Sequence, residues 1–299
     1  MGGTDTGTAR PAGADDELAG LEAGLDSLET QPVSRVPVRQ VLRQKVAPPL
    51  LGAAVVLAVW QLLHTGGLVS EERLPTPRAV GDSFLTLWRQ GTLFEIVWTS
   101  LERGLLGFLA ALAIGTPLGL VVARVPFVRA TLQPVLSGLQ SLPSVAWVPA
   151  AIIWFGLTDA AMYTVILLGA VPSIAVGLVS GIDQVPPLYL RAGRTIGATG
   201  LRGARHIVLP AALPGYTAGL KQGWAFSWRS LMATELIASS PELGVGLGRY
   251  LANSREAIDL PGVFFGILLI LAVGVLIDLL VFSPLERRVL RSRGLAPRN

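Results

Sequence analysis

The sequence predicts an all-α membrane protein of about six transmembrane helices, and three observations carry that expectation. Of its 299 residues 51% are hydrophobic and only 15% charged, and the mean hydropathy is +0.57. Several windows approach or exceed the roughly 20 apolar residues that cross a hydrocarbon core. Within those windows small residues recur at every fourth position, which is how closely packed membrane helices are spaced. A water-soluble globule is a poor fit to this composition. The chain has no cysteine, so disulfides and thiolate metal sites are excluded, and its two histidines, His64 and His206, stand far apart without ligand spacing.

Taken in order, the first 32 residues are rich in Gly, Ala and Thr, with seven acidic residues against one Arg. They lack the basic start of a signal peptide and are expected to be largely disordered. Leu18, Leu21, Leu25 and Leu28 repeat at helical spacing, so the alternative is a short amphipathic helix that needs a surface to lie on. Hydropathy then gives spans at about Pro48 to Leu63, Ile96 to Ala123, Leu132 to Leu157, Ala160 to Ile182, Ala211 to Ile237 and Val263 to Phe282. Between the first two, Leu74-Pro75-Thr76-Pro77 leads into Val80, Phe84, Leu87 and Trp88. Thr76 suits an N-cap and Pro77 a first turn, so an interfacial helix is expected there.

The second span carries Ala111, Gly115, Gly119 and Ala123, and the fifth Gly215, Gly219 and Gly223. Both ladders predict close helix contact and no direct chemistry. The third span contains Pro134, Pro143 and Pro149 and is expected to be broken or kinked. Two readings stand for that break: a kink that serves packing, or a translocation pathway lined near Gln140, Ser141, Ser144 and Trp147. In the fifth span Lys221, Trp228, Met232 and Glu235 share one face within about 40°, with Arg229 roughly 80° away. Either Lys221, Trp228 and Arg229 line a cavity that favours anions, or Lys221 or Arg229 pairs internally with Glu235, Glu102 or Asp278.

Short cytoplasmic loops retain positive charge. With the N-terminus inside, 16 of the 24 Lys and Arg residues fall on the cytoplasmic side, which puts both termini and the Arg191 region there. The domains are then a cytoplasmic tail over 1–46, a transmembrane domain over 47–290 containing a cytoplasmic segment at 184–210, and a cytoplasmic tail over 291–299. No phosphate-binding loop, metal cluster or Ser/His/Asp set stands out. The chain is therefore expected to be a non-catalytic subunit that binds no cofactor and no nucleic acid.

Within 184–210, Arg191-Ala192-Gly193-x3-Gly197-x9-Ile207-x-Leu209-Pro210 resembles the E-A-A-x3-G-x9-I-x-L-P signature of permease subunits of bacterial ATP-binding-cassette importers. Leu74-Pro75-Thr76-Pro77, the Leu101 to Gly119 stretch with Arg103, Ile153-Trp154-Phe155-Gly156 and Leu209 to Gly219 are similar to the nitrate, taurine and aliphatic sulfonate branch. The resemblance covers nearly the whole chain after about residue 46. It implies the type I importer permease fold in a bacterial inner membrane. It also implies a second permease copy as a homodimer, an extracytoplasmic solute-binding protein, and two cytoplasmic ATPase subunits that hold ATP and Mg. Arg191, Ala192, Gly193, Gly197, Ile207, Leu209 and Pro210 would form the ATPase-coupling helix and its anchor. Arg191 stands where the family has Glu, and Gly193 where it has Ala. The implied substrate is a small anion such as an aliphatic sulfonate, taurine or nitrate. The alternative from another class, a self-sufficient secondary transporter or channel, calls for an internal repeat and midplane ionisable groups, and no clear repeat is present.

Overall fold

A computed structural model describes residues 47–238 and 243–292. The N-terminal tail with its Leu18–Leu28 pattern lies outside the described residues, as does the C-terminal tail beyond Ser292. Among the described residues all regular structure is helical. The chain divides into two units between Val59 and Trp60, inside helix α1 (Ala47–Thr65). The described part of the first unit is apolar and exposed along its length.

In the second unit, Trp60 Nε1 donates to the carbonyl of Pro75 at 2.9 Å and His64 Nε2 shares a 2.5 Å hydrogen bond with the carbonyl of Leu74. These two bonds fold the connection back on the end of α1. Helix α2 (Pro77–Gln90) starts as its sequence predicts, with Thr76 accepting from the amide of Ala79 and Pro77 in the first turn. Val80 and Leu87 are buried, whereas Phe84 and Trp88 stack on each other at 6.0 Å and stay largely exposed.

The centre of the fold is a triangle of long helices, α3 (Thr92–Arg124), α6 (Asp159–Asp183) and α8 (Leu209–Ile237). Both small-residue ladders lie in its contacts. A Cβ on Gly119 of α3 would fall 2.9 Å from the carbonyl oxygen of Ala175 in α6, and one on Gly219 of α8 only 2.6 Å from the Cα of Gly177. Glycine at these positions lets backbones touch where any side chain would hold them apart. Phe108 meets Trp224 edge-on at 5.5 Å, and Trp224 stacks on Trp228 at 6.1 Å, filling the wider part of the triangle.

The expected break in the third span is present. Helix α4 (Pro126–Ser141) ends, a single 3₁₀ turn (Ser144–Trp147) follows, and α5 (Val148–Phe155) leaves at 100° to α4. Pro143 is the cause: a residue before proline is driven out of the helical region, and Leu142 has ψ 131. After α6 come α7 (Pro187–Thr195), a short helical turn (Gly200–Gly203) and a π-turn (Ala204–Val208) that enters α8. Helix α9 (Leu247–Glu256), α10 (Leu260–Ile277), a second π-turn (Asp278–Phe282) and α11 (Ser283–Ser292) complete the fold.

Among the described residues three helices are long and apolar enough to cross a membrane, Thr92–Arg124, Asp159–Asp183 and Leu260–Ser292, and a fourth span is counted if the bent pair is taken as one. Of the six expected spans, the first is a shorter apolar helix. The fifth, α8, has 29 residues but turns Ser227, Ser230, Thr234 and Glu235 into the interior, which lowers its hydropathy without exposing those groups to lipid.

Candidate functional site

The 184–210 segment sits at one end of the bundle and is built as a projecting turn. Pro187 opens α7 and Gly197 closes it at φ +74. The amide of Ala198 donates to the carbonyl of Gly193 at 2.9 Å and that of Gly197 to Arg194 at 3.1 Å. This is a Schellman cap, whose left-handed residue glycine tolerates best. Gly193 is buried because the Cδ1 of Ile207 occupies the place its Cβ would take. Ile207, the residue the signature carries at that position, therefore seats directly on the Gly193 backbone. Leu209 packs on the main core, and Pro210 lies in the first turn of α8. Arg191, Ala192 and Arg194 are exposed.

Two side-chain ties hold the base of this turn. Arg124, at the end of α3, donates to the carbonyl of Gly200 at 2.9 Å. Arg129 of α4 grips Asp183 at the end of α6 through Nη1 at 2.9 Å and Nη2 at 2.5 Å. The exposed surface combines Arg191, Arg194, Arg202 and Arg205 with apolar Leu188 (70% exposed), Tyr189 and Ile196 (79%). No acidic residue occurs between 184 and 210. An exposed apolar patch ringed by one sign of charge is a docking surface by composition.

Along the bundle from this turn runs an open cavity of 480 Å³ between α4, α6 and α8, lined by Gln140, Ser173, Ser180, Gln184, Ala218 and Gln222. Gln140 is half-buried and donates to the carbonyl of Pro172 at 3.2 Å. On α8 the exposed stripe is continued by Arg229, seven residues beyond Gln222 and within about 20° of it. Arg229 is exposed, bonds only its own helix through the carbonyl of Ala225 at 2.9 Å, and lies 4.6 Å over the Phe226 ring. Ser141 is exposed and donates to the carbonyl of Gly138 at 2.7 Å. Ser144 and Trp147 are half-buried in the bend, Trp147 against Val148 and Ala151.

Lys221 and Trp228 stand elsewhere. Lys221 pairs with Asp278 at 2.9 Å, one of the internal partners the sequence offers, and Trp228 is buried against Trp224. Glu235 pairs with neither Lys221 nor Arg229. It has no exposed surface and receives Ser100 Oγ at 2.7 Å, the amide of Gly248 at 2.9 Å and Arg103 Nη1 at 3.4 Å. Arg103 also reaches Asp159 at 3.0 Å and the carbonyl of Leu243, while Ser100 accepts the amide of Leu247 at 2.7 Å. This network ties α3, α6 and α8 to the segment entering α9, at the end of the bundle opposite α7.

Sequence reasoning singled out Gln140 and Arg229 but missed Ser173, Ser180, Gln184 and Gln222. Their signal was available: Ser173, Ser180 and Gln184 fall within about 40° on a helix, a polar line on an otherwise apolar span. Leu188, Tyr189 and Ile196 were missed because apolar residues in a charged segment read as anchors.

Comparison with known proteins gives concordant matches. Residues 115–290 match the family model described as binding-protein-dependent transport system inner membrane component. The taurine transport system permease protein TauC of Escherichia coli strain K12 is 30% identical over 260 residues, covering 85% of this chain and 93% of that protein. The putative aliphatic sulfonates transport permease protein SsuC of Bacillus subtilis strain 168 is 31% identical, covering 82% and 87%. The nitrate import permease protein NrtB of Synechocystis sp. is 28% identical, covering 81% and 89%. Among solved structures, an inward-facing conformation of the MetNI methionine ABC transporter superposes with a TM-score of 0.56 at 20% identity, covering 66% of this chain and 95% of that chain, a likeness of fold.

Proposed function

From the premise that this chain belongs to the binding-protein-dependent transport system inner membrane components, the permeases of ATP-binding-cassette importers, we propose that it forms half of a translocation pathway for a small anion, an aliphatic sulfonate, taurine or nitrate. Two copies enclose the pathway, and an extracytoplasmic solute-binding protein delivers the substrate. Two ATPase subunits, which alone bind and hydrolyse Mg-ATP, dock on the 184–210 segments. The permease spans a bacterial inner membrane over about residues 47–290 with both termini cytoplasmic, so that the exposed arginines of α7 face the ATPases.

The observation that carries this reading is the polar groove lined by Gln140 and Gln222 with an exposed arginine in line with it. A guanidinium with no acidic partner among the described residues, backed by an aromatic ring, attracts a sulfonate or nitrate through charge-assisted hydrogen bonds, and the glutamines supply neutral donors along the groove. Lys221, already neutralised by Asp278, and the buried Trp228 support the pathway wall instead of the ligand. The coupling role rests on the capped, projecting turn and on Ile207 seated over Gly193. Arg191, in place of a carboxylate, calls for an acidic face on the partner.

The experiment is uptake by the reconstituted transporter with its binding protein. Arg229→Gln is expected to lower anion uptake at least tenfold, the scale of about 1.5–3 kcal/mol for a charged hydrogen bond, with the complex still assembled. Wild-type uptake by that variant would remove Arg229 from the pathway.

A further inference from the structure

We propose that α11 is a binding surface for acidic phospholipid headgroups. The inference rests on the family reading as a membrane component and is independent of the substrate. Val289 is 6% exposed and Phe282, just before the helix, is also 6% exposed, so one side of α11 is fixed to the bundle, where it packs along α8. The other side presents Arg287, Arg288 and Arg291, all exposed. Relative to Val289 at 100° per residue, Arg287 and Arg291 point nearly opposite and Arg288 to the flank. Among the described residues none of the three has an acidic partner within 4.0 Å. The nearby carboxylate of Asp278 is taken by Lys221, and Glu286 is the only acid on the helix.

Depth selects the ligand. From Leu260 to Ser292 the chain runs as one helical rod of 33 residues. At about 1.5 Å per residue from Leu260, a core of roughly 30 Å ends near residue 280. Leu279, Leu280 and Val281 are 53–66% exposed there, where acyl chains cover them. The three arginines follow at about 40 to 47 Å, roughly 10 to 17 Å past that edge and just outside the headgroup layer, where long side chains reaching back along the helix and the field of an anionic leaflet bring their charge to the phosphates. Exposed leucines leading into unpaired arginines form an amphipathic face suited to an anionic interface. An acidic protein surface would satisfy the arginines but leave the adjoining leucines uncovered.

The test uses the assembled transporter in mixed micelles, with retained lipid counted by native mass spectrometry. Wild type is expected to retain phosphatidylglycerol over phosphatidylcholine by about tenfold or more, since each basic residue near an acidic surface contributes. The triple variant Arg287→Gln, Arg288→Gln, Arg291→Gln is expected to bring that ratio near unity, and the matching triple Lys variant to restore it. Soluble glycerol phosphate in excess is expected not to displace the lipid. No preference in wild type, or an unchanged preference in the Gln variant, would overturn the proposal. So would loss in both variants, which would assign the effect to helix structure. An unchanged lipid ratio with loss of ATPase co-purification would assign the arginine face to the ATPase. A change of transported solute leaves this proposal untouched and bears only on the groove.

Discussion

Replacing Arg103 with Met removes the charge that faces a fully buried carboxylate. Glu235 would keep Ser100 and the amide of Gly248 but lose the guanidinium at 3.4 Å, and the carbonyl of Leu243 would lose its donor. Breaking a buried pair by deleting one partner costs about 3–5 kcal/mol, because the remaining charge is uncompensated. Glu235→Leu acts in the opposite sense. It strands the amide of Gly248 and the Ser100 hydroxyl, about 1–3 kcal/mol for each unmet group, but Arg103 can still turn to Asp159, half exposed at 51%. The double variant removes both charges, and apolar replacement of a buried pair is often close to neutral. A coupling of about 2 kcal/mol or more is therefore expected in the double-mutant cycle. The assay is denaturant titration of the purified permease in mixed micelles, followed by tryptophan fluorescence, since Trp224 and Trp228 report on the same helix. Effects that add to within about 0.5 kcal/mol would refute the network as a cooperative unit.

Two further perturbations test the packing and the coupling turn. Gly219→Ala puts a Cβ 2.6 Å from the Cα of Gly177, forcing α6 and α8 apart by about 1 Å at a cost of roughly 1–3 kcal/mol. Gly81→Ala, with nothing within 4 Å, should cost nothing, and equal thermal midpoints for the two variants would contradict the close-contact reading. Gly197→Trp imposes a left-handed conformation on a bulky residue, roughly 1–2 kcal/mol, and adds a ring to the exposed turn. Uptake driven by ATP is expected to vanish while the permease still inserts, and a fully active variant would sink the coupling assignment.

The helices and their closest contacts were legible because both follow local rules. Small residues every fourth position specify a face, and Pro143 specifies a break whatever surrounds it. Charge partners were legible only in part: Lys221 does pair with Asp278, but the partners of Glu235 could not be read. Lys221 and Glu235 share a helical face, which made them candidate partners, yet 14 residues separate them by about 21 Å along the axis. Rise alone excludes the pair. The actual partners, Arg103 and Ser100, lie on another helix some 130 positions away in sequence, and only tertiary packing brings them together. The groove was half legible: Gln140 and Arg229 are conspicuous singly, while Ser173, Ser180 and Gln184 form a polar line on α6 whose place beside Gln140 and Gln222 only the packing of α4 and α8 reveals.

These contacts also bear on how motion would cross the molecule. Helix α8 leaves the 184–210 segment at Leu209 and carries Glu235 near its far end, a distance of about 39 Å. Its middle is fixed to α6 through Gly219 and Gly177, and its end to α3 and the α9 entry through the buried network. A push on the projecting turn enters α8 through the π-turn at Ala204–Val208 and past Pro214, and beyond Pro214 the close-packed contacts transmit displacement instead of absorbing it. Other soft elements lie to the side, in the 100° bend after Ser141 and the π-turn at Asp278–Phe282. On the proposed pathway reading, alternation of the groove would correspond to α3, α6 and α8 moving as one body against α4 and α5. Weakening the Arg103–Glu235 pair should lower the ratio of uptake to ATP hydrolysis more than it lowers hydrolysis itself.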